Sequence, residues 1–314
     1  MRSDNKIPIV AIVGAGRVGS ALGSLLHEKG WRIGPVVTRS MQTARLAQRR
    51  IGSGTPQAGL SDTVLSADLI LITTADRAIA ETAATIARFG VSNPSGAGNK
   101  TQRQSAAQKT NSKDWRSKIV LHTSGALGSD VLRPLAPLGA ATGSLHPLQT
   151  FSAKNVPSLA GVTCVVEGSA PAVRMARRIC RTLGAIAVVL PPARKAAYHA
   201  GAALAAGHVL AVVETAVRIL MNAGFSRTNA VRAVLPLTRQ TLANFERLGA
   251  HAAWTGPLSR ADVAVVRRHL EALRGFPREY RETYVALSRL AVNVLANGRT
   301  AKKRQLKSAL AGIK

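Results

Sequence analysis

Apolar residues recur along this chain in two rhythms. Up to about residue 190, short unbroken apolar runs alternate with segments whose apolar positions follow helical spacing, and beyond Lys195 only the helical spacing continues. Residues 7–13 form the first run, of the kind a strand buried on both faces of a parallel sheet requires. They lead into Gly14-Ala-Gly-Arg-Val-Gly19 and then Val18, Ala21, Leu22, Leu25 and Leu26, which fall on one helical face. Further strands are predicted at 31–38, weakly after Gly52, and at 67–74, 119–122, 140–145, 161–166 and 185–190. Helices are predicted around Ile79, Ile86 and Phe89, with Asp76 placed as the cap, and at 130–138 and 170–183. Pro191-Pro192 ends the alternation, and helices follow at 195–223, 228–248, 260–273 and 277–296. The expected fold is α/β: a Rossmann-type, doubly wound, mostly parallel sheet over residues 1–192, then an all-α domain over 193–314.

Residues 90–117 break the rhythm, being rich in Ser, Asn, Gln, Lys and Gly, and read as a surface or disordered insertion at the N-terminal edge of the sheet. The stretch 196–213 is uncharged and long enough to be screened as a membrane span. Its Ala and Gly content, His199 and His208 within it and the flanking Lys195 and Glu214 point instead to a buried helix of a soluble bundle. Residues 1–8 carry charge without a long apolar segment or cleavage site, so a cytoplasmic location is expected. Homodimerisation is expected too, because four helices of this kind leave apolar faces that they cannot cover among themselves.

Composition adds one strong feature, a net charge of +28 from 43 Lys and Arg against 15 Asp and Glu. Such a field attracts anions, whether phosphates, carboxylates or polynucleotides. The basic residues are scattered, clustering only at 45–50, 100–118 and 299–307, and no nucleic-acid motif or aromatic stacking platform accompanies them. The two cysteines, Cys164 and Cys180, read as buried free thiols. No HExxH, CxxC or paired-acid pattern suggests a metal.

The glycine motif carries the clearest chemistry, because it sits between an apolar strand and an amphipathic helix. Gly14 permits the tight turn, Gly16 lets the backbone approach a pyrophosphate and Gly19 allows close packing, while Ala15, Arg17 and Val18 complete the loop at the helix start. An NAD site places Asp or Glu about twenty residues further on. Thr38-Arg39-Ser40 stands there instead, and Arg39 suits the 2′-phosphate of NADP(H). Polar residues then gather at successive strand ends: Thr73, Thr74 and Asp76; His122, Ser124 and Gly125; Ser144, His146 and Gln149. That edge is the ligand crevice of open α/β folds. An N-cap role explains Asp76 without a ligand, and local backbone bonds would equally explain His122 and His146. Lys195, Tyr198 and His199 share one helix face, where a lysine could protonate or polarise a substrate carbonyl or simply lie exposed near the helix end. Ser259 and Asp262 have the spacing of a capping box, while Arg260 and His269 are candidates for an anionic substrate.

The chain resembles the bacterial proteins in which a Rossmann-like domain precedes the domain of unknown function DUF2520, within the wider group of pyrroline-5-carboxylate reductase and 6-phosphogluconate dehydrogenase. The segments that carry the resemblance are GAGRVGSAL (14–22), LITTAD (71–76), HTSGALGSDVL (122–132), GSLHPLQTF (143–151), KAAYHAGA (195–202) and TGPLSRADVAVVRRHL (255–270). It implies a dinucleotide domain and a helical dimerisation domain, and no established reaction. Two positions depart from the family pattern, in which Asn is expected at Gly207 and Gly at Ala261. The function expected from these features is NADP(H)-dependent hydride transfer to or from a small, anionic substrate. Ser124, His146 and Lys195 would be catalytic, and His122, Gly125, Gln149, Tyr198, His199, Arg260 and His269 would bind the substrate. The alternative is a non-catalytic NADP-binding regulatory or scaffold protein, and a nucleic-acid role rests on the charge alone.

Overall fold

The apolar runs of the first half join in one eight-stranded sheet in a computed structural model, which describes residues 7–90, 115–152 and 155–296 together with 304 and 308. The strands are β1 (Ile9–Val13), β2 (Arg32–Thr38), β3 (Thr55–Ala58), β4 (Leu69–Ile72), β5 (Ile119–His122), β6 (Ala141–Pro147), β7 (Thr163–Gly168) and β8 (Ile186–Val189). Their order is β3-β2-β1-β4-β5-β6-β7-β8, and every neighbouring pair is parallel except β6 and β7. The order reverses between β1 and β4, which is where open α/β sheets hold their ligands, beyond the carboxyl ends of the strands.

Helices cover both faces, which is why the central strands are apolar at every position. Leu22 and Leu26 of α1 (Arg17–Glu28), Ala47 and Ile51 of α2 (Met41–Ile51) and Ala172, Ala176 and Ile179 of α4 (Ala170–Thr182) pack in one core. Ile79, Ala83 and Ile86 of α3 (Asp76–Gly90) pack in the other, with Leu132 and Leu135. Those two leucines belong to Ser129–Leu138, a 3₁₀ helix rather than the α-helix that the spacing suggests, because Pro134 and Pro137 remove backbone donors. Cys164 and Cys180 are buried as free thiols. The expected insertion lies largely outside the described residues.

The chain divides into two compact units, Met1–Ala206 and Gly207–Lys314. Helix α5 (Lys195–Ala203), the first of the helical half, therefore belongs with the sheet. A π-helical turn, Leu204–His208, leads into α6 (Val209–Asn222), followed by α7 (Arg227–Ala253), the short α8 (Pro257–Arg260), α9 (Val263–Ala272) and α10 (Arg278–Val294). The cores of the second unit are small: Val217 with Ala230 and Val234, and Val266 and Leu270 with Val285 and Val292. Large apolar side chains stay in solvent, with Leu210 69% exposed, Leu237 70% and Phe245 57%. Pro192–Asn222 is long and apolar enough to cross a membrane by length and composition, but only 6% of its apolar window is buried. The expectation of a helix buried within the chain's own bundle is thus not met.

Local signals around α8 and α9 also resolve differently from the capping box expected there. Asp262 is itself the N-cap of α9, accepting the Val265 N–H at 3.2 Å, while Ser259 Oγ donates to the Gly256 carbonyl at 2.9 Å. Ala261, where the sequence resemblance leads to the expectation of Gly, closes α8 in the left-handed region at φ 59°, the only non-glycine residue with positive φ among those described. A Cβ in that conformation crowds the backbone by roughly 1–2 kcal/mol. Ala261→Gly should therefore raise unfolding stability by about 1 kcal/mol. Urea denaturation of the two proteins checks this, and a destabilised glycine variant would contradict it.

Candidate functional site

The turn after β1 is built for close approach. Gly14 has φ 83°, and a Cβ there would lie 2.5 Å from Thr74 Cγ2; a Cβ on Gly19 would run into Thr73 Oγ1. Thr73 Oγ1 donates to the Gly14 carbonyl at 2.8 Å, so the loops after β1 and β4 are stitched together. At Gly16 the nearest atom to a built Cβ is the Gly14 carbonyl at 3.8 Å, which leaves the backbone open to a ligand. No side chain caps α1 and no acidic residue stands in its first turn, so its N-terminal N–H groups and partial positive charge are available to an anion. The Ala15 N–H is already donated to the Val37 carbonyl at 3.2 Å, while Arg17 is exposed and Val18 half-buried. After β2, Thr38 and Ser40 bond to each other and to Thr43, with Ser40 capping α2. Arg39 between them is exposed, with no side-chain partner among the described residues.

From this cradle a line of contacts runs along the carboxyl edge. Thr74 follows β4, and its Oγ1 is buried without a hydrogen-bond partner among the described residues. Asp76 opens α3 rather than capping it, and its carboxylate accepts from Ser124 Oγ at 2.8 Å. Ser124 is buried and fully engaged. Its N–H donates to His122 Nδ1 at 3.2 Å, its Oγ accepts the Ala126 and Leu127 N–H groups, and its carbonyl accepts from Lys195 Nζ at 2.9 Å. His122 is 0% exposed, and with Nδ1 accepting, its Nε2–H donates to the Gly128 carbonyl at 3.1 Å. Burial above all, with Lys195 adding to it, lowers the His122 pKa to about 4, so the ring is neutral and braces the loop.

Lys195 is 0% exposed although its neighbours Arg194, Ala196 and Ala197 are in solvent. Its ammonium donates to Ser124 and to Ser144 Oγ at 2.6 Å and lies 3.7 Å from Glu167, itself 2% exposed. Burial lowers the pKa of Lys195, and Glu167 opposes that. Gly125, next to Ser124, has no room for a Cβ, which would meet His199 Nδ1 and lie 2.8 Å from His146 Nε2. Around it stand His146, Tyr198 and His199. His146 Nδ1 shares a 2.8 Å hydrogen bond with Tyr198 OH and packs edge-on against the Tyr198 and His199 rings. His199 Nδ1 is buried with no partner among the described residues. Burial first, then His199 and Lys195, lower the His146 pKa to about 4, and burial raises Tyr198 to about 12. Both are neutral at pH 7.

The structure thus brings Asp76, His122, Ser124, Gly125, His146, Lys195, Tyr198 and His199 into one network at the edge that the strand ends predict. Gln149 is outside it, its side-chain carbonyl accepting the Thr150 N–H at 2.8 Å. Arg260 and His269 belong to the second unit, where His269 Nδ1 pairs with Tyr284 OH at 2.9 Å. That unit has its own groove of about 450 Å³, lined by Leu273, Arg274, Phe276, Arg281, Val285 and Arg289 among others, and neither Arg260 nor His269 is in its lining. Sequence reasoning passed over Glu167. Its signal was available: one carboxylate at the end of the apolar run VTCVVE, in a chain with only 15 acidic residues, must have a buried partner.

The strand order and glycine turn are those of a Rossmann-like domain, and residues 4–107 match that family. Residues 162–291 match the domain of unknown function DUF2520. The chain belongs to the proteins that join these two domains. The second match begins at β7, so it contains both Glu167 and Lys195. No curated protein matches the chain. Among solved structures, a Bacteroides fragilis protein proposed to be an NADP oxidoreductase is 22% identical with a TM-score of 0.70, over 90% of this chain and 97% of that one. An imine reductase from Pseudomonas sp. is 16% identical with a TM-score of 0.59, over 97% and 100%. A reductive aminase from Aspergillus terreus, in complex with NADPH and ethyl-5-oxohexanoate, is 16% identical with a TM-score of 0.62, over 92% and 94%. At these identities the likeness is one of fold.

The histidine pKa values make stability depend on pH with a definite sign. Unfolded, His122 binds a proton below its ordinary 6.5, whereas folded it does so only near 4. Stability is therefore full above pH 6.5 and falls as the pH drops toward 4, by on the order of 3 kcal/mol from this residue, with His146 acting in the same direction. Urea unfolding across that window should show a shallower acid loss in His122→Asn than in the wild type. Equal slopes in the two proteins would contradict this account of His122.

Proposed function

We propose that the chain is an oxidoreductase that uses a nicotinamide dinucleotide, NADP(H) in preference to NAD(H), on a small, anionic substrate. The observation that carries this reading is the succession of open and hydrogen-bonded groups along one sheet edge. It runs from the open Gly16 backbone and uncapped α1, through Thr74, Asp76 and Ser124, to the His146–Tyr198 pair. Gly14, Gly16 and Gly19 would hold the pyrophosphate against the start of α1, and Arg39 the 2′-phosphate. The buried orphan Thr74 Oγ1 fits a group that would supply its missing hydrogen bond. The fold shared with the reductive aminase that was solved with NADPH supports the same choice. When bound, the dinucleotide would supply the hydride.

The chain's own residues would manage the proton. Tyr198 and His146 are neutral hydrogen-bonding groups, so Tyr198 OH can give its proton to the substrate, leaving a tyrosinate that accepts from His146 Nδ1–H across their 2.8 Å bond and regains its proton from water after product leaves. His199 Nδ1 would bind a polar substrate group. Lys195 and Ser124, whose polar groups are committed to one another, would act by holding this arrangement. One observation favours the alternative of a non-catalytic NADP-binding protein. Gly207, in the π-turn after the helix that carries Lys195, leaves open space where the sequence resemblance leads to the expectation of an asparagine amide.

Cofactor titration followed by a substrate screen separates these readings. NADPH should bind roughly 10–100-fold tighter than NADH, the value of one or two charge-assisted hydrogen bonds, and Arg39→Ala should abolish the preference. Equal binding of both dinucleotides to the wild type would overturn the NADP assignment. On small keto acids and cyclic imines, His146→Ala and Tyr198→Phe should keep NADPH affinity and lose about 10²–10⁴-fold in turnover. Affinity for NADPH without turnover on any of them would favour the binding-protein reading.

The apolar side chains that α6 and α7 leave in solvent, Leu210, Leu237 and Phe245 among them, support a homodimer through the helical unit. Sedimentation at micromolar concentration should find a dimer that Leu237→Lys together with Phe245→Lys dissociates. A wild-type monomer would refute it.

A further inference from the structure

Arg218 and Arg227 of the second unit share Glu214, Arg274 pairs with Glu271 and Arg278 with Glu282. One side of the sheet lacks this arrangement. Helices α1, α2 and α4 pack into one core and so cover the same side, and the only acidic residue on them is Glu28, which accepts from Ser24 Oγ at 3.2 Å. There α2 presents Arg45, Arg49 and Arg50, and α4 presents Arg174, Arg177 and Arg181, all of them exposed. None of the six has an ion pair or a side-chain hydrogen bond among the described residues. The elements on the other side carry Asp62, Asp76, Glu81 and Asp130. Along α4 the arginines recur at steps of three and four, opposite the core residues Ala172, Ala176 and Ile179. Like charges at that spacing work against a helix, so the pattern favours an outside anion. Arg178, the half-buried member of the row, lies over the Trp31 ring at 5.4 Å from its centroid, which brings α4 to the chain that joins α1 to β2. Lys29 and Arg32, on either side of Trp31, are exposed as well.

We propose that the side of the sheet covered by α1, α2 and α4 binds the phosphate backbone of double-stranded DNA without reading its sequence. Guanidinium forks pair with phosphate oxygens two at a time, and each pairing releases counterions condensed on the polymer. Helices α1, α2 and α4 carry no aromatic residue and Trp31 is buried, so the bases of a single strand have nothing here to stack on. Arg174 and Arg181 stand about 10 Å apart along the helix at 1.5 Å per residue, close to the roughly 12 Å width of the B-form major groove. Helix α4 can thus hold phosphates on both rims of that groove, whereas the major groove of duplex RNA is narrower. None of the six arginines belongs to the glycine cradle or touches the His146–Tyr198 pair, so DNA binding and dinucleotide chemistry are separable.

The test is fluorescence anisotropy of a labelled DNA duplex of about 20 base pairs, titrated with the full-length chain in about 50 to 200 mM NaCl. The wild type should bind at micromolar concentration in the lowest salt and lose about 10²–10³-fold in affinity across the range, as expected for roughly four to six phosphate contacts. Replacing Arg174, Arg177 and Arg181 together by Ala should reduce the salt slope by about 2–3 and weaken low-salt binding by roughly tenfold or more. Replacing Arg45, Arg49 and Arg50 by Ala should act in the same direction. The control removes Arg77, Arg88 and Arg133, exposed on the other side of the sheet; it takes away the same charge and should leave binding within about threefold. No binding at about 50 mM NaCl overturns the proposal. An α4 triple variant that weakens no more than the control also overturns it, by assigning the binding to net charge alone. If the α4 triple variant does not fold, the same result from the α2 triple variant does so. Tighter binding to duplex RNA or to phosphatidylserine vesicles than to the DNA is equally contrary to it.

Discussion

A lysine ammonium leaves water completely only where fixed partners replace its hydration, since an uncompensated buried charge costs several kcal/mol. Lys195 meets that condition with groups from separate parts of the sheet unit: the Ser124 carbonyl after β5, Ser144 on β6 and Glu167 on β7. Each partner is itself held. Asp76 at the start of α3 accepts from Ser124, and Ser129 in the 3₁₀ helix donates to Glu167. The first turn of α5 is thereby fixed to three strand ends, and Tyr198 and His199 take their places from it.

The antiparallel turn of the sheet at β6 and β7 makes this arrangement possible. It sets Glu167 directly across from Ser144, with His146 two residues further along β6. A strand alternates its faces, so Ser144 and His146 share one side. The charge that anchors α5 and the ring that would serve the chemistry are therefore one pleat apart. The DUF2520 match, which begins just before β7, contributes both members of the ion pair, while the bridging Ser144 lies upstream of it. Neither matched segment contains the whole network, since Ser124, Ser144, His122 and His146 lie between the two.

Much of the fold was legible because it rests on local periodicity. The apolar runs and the glycine turn predict the strands and their connections, and β5 falls on the expected residues. The gathering of polar residues at strand ends likewise predicts the edge on which Ser124, His146 and Lys195 meet. What escaped depends on single residues whose partners are distant in sequence. Glu167 leaves no periodic trace, and its role emerges only from the pairing of β6 with β7. Lys195 reads as a helix-end lysine facing a cleft or solvent, whereas it turns inward. Asp76 opens α3 where spacing alone makes it the cap, and Asp262 is itself the cap of α9 where spacing gives that place to Ser259. Apolar faces left uncovered among these helices were expected, but that the stretch before Glu214 would be one of them was hidden, since an Ala-rich helix has the same sequence whether or not its own bundle covers it.

The central claim is that the glycine cradle and the His146–Tyr198 pair serve one ligand. A crystal structure of the full-length protein with NADPH tests it most directly. The account predicts the pyrophosphate on the Gly14–Gly19 turn, the 2′-phosphate at Arg39, and the nicotinamide beside His146 and Tyr198, with space for a substrate within about 3–3.5 Å of its reactive carbon. A dinucleotide bound at the turn with its nicotinamide directed away from His146, or bound elsewhere on the chain, would contradict it.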